Sequence, residues 1–393
     1  MDKKFTYIGF LKDVWLLSIS SFGGPQAHLA HFQKILVAKR GYLKEDELLE
    51  VNALCQILPG PSSTQTLSAI GYRLGGAKLA YLTLFIWMMP SVSVMIVAGI
   101  LMANLKERSV SLDFVRFIQP MAVGFISYAA YTISLKTVTR RRGLVIMVAA
   151  GVASYFIKTP FVFPLTLLLA GLITAFNYKA HPKTPKNKFD VRWANFFLWA
   201  AVLIIAAILG GVTKSLPIRL FENFYRNGSL IFGGGQVLTP LLYTEFVEYA
   251  PKHYLSSQEF LSGFALVQAL PGPVFSFSAY IGSLSMREVG IGGQILGGFM
   301  AAAGIFLPGT FLSFFVIRIW DSLKSYRPIR AALEGINAAS AGLIAAAALI
   351  LFQPLENSFV NYFITISTFL LMTFTKTPSW ALIILGVALG FVL

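Results

Sequence analysis

The chain has 393 residues, 56% hydrophobic and 12% charged, with a mean hydropathy of +0.70. A soluble domain carries roughly 25% charged residues, so this composition excludes one and fits an integral membrane protein. The net charge of +15 would point a soluble chain toward nucleic acid. Here the Lys and Arg cluster in short loops, the pattern of topology signals and headgroup contacts, and no nucleic-acid partner is expected.

Apolar runs at 79–103, 143–157, 161–176, 196–212 and 292–317 lack the alternation of a β-barrel strand. Some approach the roughly 20 residues that a helix needs to cross the hydrocarbon core. The fold class is therefore an all-α membrane protein. Cys55 is the single cysteine, which excludes an intrachain disulfide. No cleavable signal peptide is expected, because the first apolar stretch runs into SFGGPQ rather than a small-residue cleavage site.

In chain order, Lys3 and Lys4 place the N-terminus inside, and 5–21 enters the membrane. It stops at Phe22, Gly23 and Gly24. Pro25 suits the first position of a new helix, 25–38, which also carries Gln26. A helix over 45–57 starts on Glu45, Asp46 and Glu47, acids that favour a helix N-terminus, and runs through Gln56. It breaks at Pro59, Gly60 and Pro61. Ser62, Ser63 and Thr64 open a returning helix that ends near Arg73. Crossings follow at 77–103, 116–136, 143–157 and 161–178, then a basic linker, 179–192, and one further apolar segment, 193–212.

The second half repeats the first. FGGPQ at 22–26 returns as FGGGQ at 232–236, which carries Phe232, Gly233, Gly234 and Gln236, an offset of 210. QILPGP at 56–61 returns as QALPGP at 268–273, carrying Gln268, Pro271, Gly272 and Pro273, an offset of 212. Gly71 pairs with Gly282; Pro90 with Pro308, Gly124 with Gly342, and KTP at 158–160 with KTP at 376–378. Crossings are expected at 291–319, 331–352, 359–375 and 378–393, giving nine full crossings plus four broken hairpins. The domains read as 1–180, a linker and connecting helix at 181–212, and 213–393.

The added segment 193–212 would turn the second half upside down. Charge agrees. Loop 136–142 holds four basic residues, whereas its repeat 354–360 holds none and has Glu356. The basic stretch 34–47 faces a counterpart with Lys252 beside Glu245, Glu248 and Glu259. The expectation is an inverted repeat with the N-terminus inside and the C-terminus outside.

Four Gly/Pro breaks in paired positions inside apolar surroundings are the best pointer to a site; ordinary loop turns are the plain alternative. A helix that begins at mid-membrane presents free N–H groups and a positive dipole end, which suits an anion. Glycine admits a close approach. Ser62, Ser63, Thr64, Ser276 and Ser278 add hydroxyl donors, and Gln26, Gln56, Gln236 and Gln268 add amides. These hydroxyls and amides could equally serve as caps and backbone partners. The set fits a small tetrahedral anion better than a bare cation.

His28 and His31 lie three apart, but His31 sits far from the break and the second half lacks the pair, which argues against a proton or metal role. Lys12 and Asp13 read as a local ion pair. Glu50 is a candidate for ion coupling, and Arg73 for an inner vestibule or a headgroup contact. No Walker loop, HExxH or clustered metal ligands are present, so neither an enzyme nor a metal or other cofactor is expected.

On the stretches SFGGPQAH, QILPGP, FGGGQ and QALPGP, together with the duplication, the chain resembles the chromate ion transporter family of the two-domain ChrA type, over nearly its whole length. The resemblance implies a plasma-membrane carrier that exports chromate, with sulfate as a related or competing anion. Half-length members imply that each repeat can pair with another, which makes a homodimer a candidate assembly. A sulfate or other oxyanion importer and an anion channel remain as alternatives on the same scaffold.

Overall fold

The computed structural model describes residues 6–108, 113–176, 193–232, 235–317, 319 and 326–392. The expected basic linker at 179–192 lies outside the described residues. Among the described residues the regular structure is helical throughout.

The chain opens with α1 (Tyr7–Ser20), α2 (Gly24–Phe32), a π-helical continuation (Gln33–Lys39), α3 (Glu45–Ile57) and the long α4 (Ser62–Glu107). Helices α5 (Ile118–Thr137), α6 (Arg141–Phe156), α7 (Val162–Ala175) and α8 (Ala194–Thr213) follow. Then come α9 (Leu216–Leu230), α10 (Gly235–Tyr243), a second π-helical turn (Thr244–Glu248), α11 (Ser257–Ala269) and α12 (Phe277–Ser285). The last are α13 (Gly290–Val316), α14 (Arg327–Phe352), α15 (Phe359–Phe374) and α16 (Ser379–Val392).

This order uses one series of elements twice, with α8 between. Helix α1 answers α9, and α2 with its π-helical tail answers α10 with its own. Helix α3 answers α11, and both begin on the same capping device. The Lys44 N–H donates to Glu47 at 2.7 Å, and the Ser256 N–H donates to Glu259 at 2.7 Å. Helix α4 is kinked at Gly75 and Gly76, the latter at φ 72°, which ends its first part where the Arg73 signal indicated. The same kink separates α12 from α13 at Gly290, φ 78°. Helices α6 and α15 have 16 residues each, and α7 and α16 have 14 each.

Helix length divides the expected crossings into two groups. Among the described residues four helices are long and apolar enough to span a membrane: Ser62–Glu107, Ala194–Thr213, Arg287–Val316 and Arg327–Phe352. Helices of 14 to 16 residues reach about 21–24 Å, short of a core of roughly 30 Å. The apolar runs had included loop residues such as Ile157 and Phe161, which lie beyond the helix ends at the KTP turns. Helix α8 leaves Ile204, Ile205, Ile208 and Val212 exposed, the surface of a lipid-facing helix.

The chain forms two compact units, and each draws on both sequence halves. The first comprises 1–100, 189–230 and 270–320; the second comprises 101–188, 231–269 and 321–393. In the first, Phe10, Val14 and Leu17 of α1 make one apolar stripe against Phe32, Leu36, Leu48, Leu67, Ile70 and Trp87. Asp13 shares this inward face and is buried. Its partners are Arg40 (2.7 Å) and the Tyr42 hydroxyl (2.7 Å). The expected local pair with Lys12 is not formed, because adjacent helical side chains diverge and Lys12 points out. Burial, and then the bond to Asp13, push the loop residue Tyr42 up to about 12, so its hydroxyl stays a donor.

The second unit is organised around α14, which packs on α5, α6, α7 and α10. Small residues let these helices approach closely. Gly342 faces the carbonyl of Met147 on α6, and Gly335 faces that of Ala170 on α7. Gly124, the sequence counterpart of Gly342, meets Thr368 of α15; an added Cβ would lie 2.6 Å from that side chain. Lys106 pairs with the buried Glu259 at 3.2 Å, and Lys252 with the buried Glu245.

A Cβ on Gly342 would overlap the Met147 carbonyl, and backbone cannot give way as a flexible side chain can. Gly342→Leu is therefore expected to lower the melting temperature in detergent by several degrees or abolish the monodisperse species. Gly211→Leu, at a position with open space around it, should leave the melting temperature near wild type. A wild-type melting temperature for Gly342→Leu would contradict this packing.

Candidate functional site

The first, second and fourth breaks are built from backbone that only glycine adopts without strain. Helix α1 ends at Ser20, and the chain passes through Gly23 (φ 92°) and Gly24 (φ 78°) into α2, with Pro25 in its first turn. Gly23 is the N-cap and supplies no side-chain bond, so the first N–H groups of α2 have no side-chain cap. At the second break Leu58 is extended, Gly60 lies at φ 107°, and α4 starts at Ser62. Gln65 Nε2 reaches back to donate to the Pro59 carbonyl at 2.5 Å. In the fourth break Gly272 lies at φ 93°. A 3-10 turn, Val274–Ser276, precedes α12 there, so the helix does not start directly after Pro273. Neither Pro273 nor Ser276 makes a side-chain capping bond.

The second and fourth breaks dock in the same way, each onto the opposite half. A Cβ built on Gly60 would lie 3.6 Å from the Gly228 carbonyl near the end of α9 and 3.5 Å from Cα of Gly309 in α13. One built on Gly272 would lie 3.3 Å from the Ser18 carbonyl near the end of α1 and 3.3 Å from Ser91 in α4. Gly60 corresponds to Gly272, Ser18 to Gly228, and Ser91 to Gly309 by the sequence offsets. The contact is reciprocal: each PGP glycine meets the counterpart positions of the other half. Pro90 and Pro308, read from sequence as repeat markers, lie beside Ser91 and Gly309 inside helices α4 and α13. The Gly272 N–H also donates to the Ser21 carbonyl at 2.9 Å, which joins the fourth break to the first.

The first unit thus holds Phe22, Gly23, Gly24, Pro25, Gln26, Gln56, Pro59, Gly60, Pro61, Ser62, Ser63, Pro271, Gly272, Pro273 and Ser276. Phe232, Gln236 and Gln268 belong to the second unit, and Gly233 and Gly234 lie outside the described residues. Within the first unit Phe22, Gln26 and Gln56 are exposed. Ser63, Thr64, Ser276 and Ser278 are buried. The Ser276 and Ser278 hydroxyls hydrogen-bond to nothing among the described residues, and so does Nε2 of Gln268 in the second unit. Buried polar groups in this state are rare and call for a polar ligand or water. Glu50 and Arg73, singled out separately, approach each other to 3.9 Å at the surface, where an ion pair contributes little. Among the described residues no group of His, Cys, Asp or Glu is arranged to hold a metal ion.

Sequence reasoning set the histidines aside, and the structure places both at the breaks. His28 is buried and pairs through Nδ1 with Ser63 Oγ at 3.0 Å. His31 pairs through Nδ1 with Ser21 Oγ at 3.1 Å. Trp87 meets His28 edge-on at 5.2 Å and donates to Thr64 at 3.0 Å. The three-residue spacing put the histidines on one helix face, but nothing local showed that the face meets the second break.

The architecture is that of an integral membrane protein built on a repeat, used twice, whose helices are interrupted and docked on one another. The chain belongs to the chromate transporter family, whose model matches residues 8–175 and again 218–391. It is 26% identical to a chromate transport protein of Cupriavidus metallidurans, over 95% of this chain and 89% of that protein. Identity to a chromate transport protein of Pseudomonas aeruginosa is 24%, over 85% of this chain and 78% of that protein. An uncharacterized transporter of Methanocaldococcus jannaschii is 23% identical, over 98% of this chain and 93% of that protein. No solved structure matches the chain.

Proposed function

We propose that the protein is a plasma-membrane carrier that exports chromate from the cytoplasm and so lowers its accumulation. One observation carries the reading: a single compact unit gathers three helix breaks, with helix starts that lack side-chain caps and with buried, unpartnered Ser276 and Ser278 hydroxyls. Such a set offers donors and positive dipole ends to an oxyanion and no carboxylate to a cation. The chromate transport proteins among its relatives supply the identity of the anion; sulfate, of the same shape and charge, is the expected competitor.

Electrostatics favours export. At about 2.3 kcal/mol per charge and 100 mV, a dianion leaving a negative-inside cell gains about 4.6 kcal/mol. The potential alone can therefore drive the flux, and a proton gradient is a second candidate source. We read the two halves as inverted in the membrane, with the N-terminus inside and the C-terminus outside. Three features support this: the reciprocal docking of Gly60 and Gly272, the single added span α8, and the charge contrast of the paired loops. Inverted repeats and midplane breaks belong together in carriers that work by alternating access.

Chromate uptake into inside-out vesicles is expected to saturate, to rise with a lumen-positive potential, and to fall when sulfate is added. No chromate uptake, with sulfate entering right-side-out vesicles instead, would replace export by import. Uptake without saturation or counterflow would make the protein a channel. The orientation has its own test. In a Cys55→Ser background, Thr139→Cys and Asn357→Cys should be labelled by an impermeant maleimide from opposite sides. Labelling of both from one side would refute the inversion.

A further inference from the structure

Half one carries polar struts between its breaks that half two does not repeat. His28 and His31 sit on one face of α2, the helix that starts at the first break. His31 holds Ser21, whose carbonyl takes the Gly272 N–H of the fourth break. His28 reaches 35 residues along the chain to Ser63, the second residue of the helix that starts at the second break. Nε2 of His28 has no hydrogen-bond partner among the described residues, so Nδ1 makes the ring's hydrogen bond. Trp87 braces the ring's flank and bonds Thr64 beside Ser63.

By the sequence offsets, the half-two counterparts of Ser21, His28, His31, Ser63 and Trp87 are Ile231, Leu238, Leu241, Phe275 and Ile305. All five are apolar and buried. The same five positions thus carry directional hydrogen-bonding groups in one copy and buried apolar side chains in the other. A buried polar pair contributes little net stability, and its value lies in specifying one geometry.

We propose that His28 and His31 are positioning residues for the anion site. They tie the first break to the second and fourth, so that the helix starts present their donors to the oxyanion in a fixed register. The inference rests on the oxyanion reading above. The roles of the two rings are specific at the atomic level. An asparagine amide can occupy the position of Nδ1, whereas a glutamine amide extends to the position of Nε2.

The test is chromate uptake by His28→Asn, His28→Gln, His28→Ala, Ser63→Ala and the His28→Ala/Ser63→Ala pair, each normalised to inserted protein. His28→Asn should stay within roughly threefold of the wild-type KM, while His28→Gln and His28→Ala raise it roughly tenfold or more. The double variant should be no worse than His28→Ala alone, since one strut is removed either way. Equal effects of Asn and Gln, or losses that multiply in the double variant, would overturn the assignment. The melting temperatures of the same set supply a readout that needs no substrate. If the wild type moves no chromate, the transport reading falls, and the strut is then judged on whether the two single-variant shifts couple. Additive shifts would refute it.

Discussion

Everything in this fold depends on the rule that backbone N–H and C=O groups removed from water must find partners. In hydrocarbon an unpaired group costs several kcal/mol, so a helix can be interrupted there only where protein covers the gap. The chain meets this by docking break against helix. Gly60 sits against the Gly228 carbonyl and Gly309, and Gly272 against the Ser18 carbonyl and Ser91. A side chain at either glycine would hold the surfaces apart. The left-handed backbone and the lack of a Cβ are thus two requirements met by one residue type.

The reciprocal docking explains why the compact units cut across the sequence halves. Each PGP break lies against the first helix and the long proline-containing helix of the other copy, so its docking needs both halves. An exchange of this kind makes duplication structurally useful, because the two copies in the chain complete one another. Each compact unit accordingly contains parts of both sequence halves.

How much was legible follows from what is local. The bounds of α3, Glu45–Ile57, could be read to the residue, because three acids open it and Pro59 closes it. The breaks were legible for the same reason, since Gly and Pro act on their own dihedrals. Glycines paired only by offset, such as Gly124 and Gly342, proved to be points of close helix approach. Helix ends were less legible because hydropathy counts apolar loop residues as helix: α7, α15 and α16 are each shorter than their runs, and α6 stops before Ile157. Partners set by tertiary packing were not legible. Asp13 bonds Arg40 and Tyr42 rather than its neighbour, and His28 finds Ser63 far along the chain. The 3-10 turn before α12 also escaped notice, since Ser276 and its neighbours read equally well as a helix start.

The central claim is that the docked glycine breaks form the anion site. Its most direct measurement is chromate flux by Gly60→Leu and Gly272→Leu, with insertion checked in parallel. The account predicts that both variants reach the membrane and both lose transport, since each must strain a left-handed residue and push an added side chain into the opposing helix. Wild-type flux from both inserted variants would contradict it.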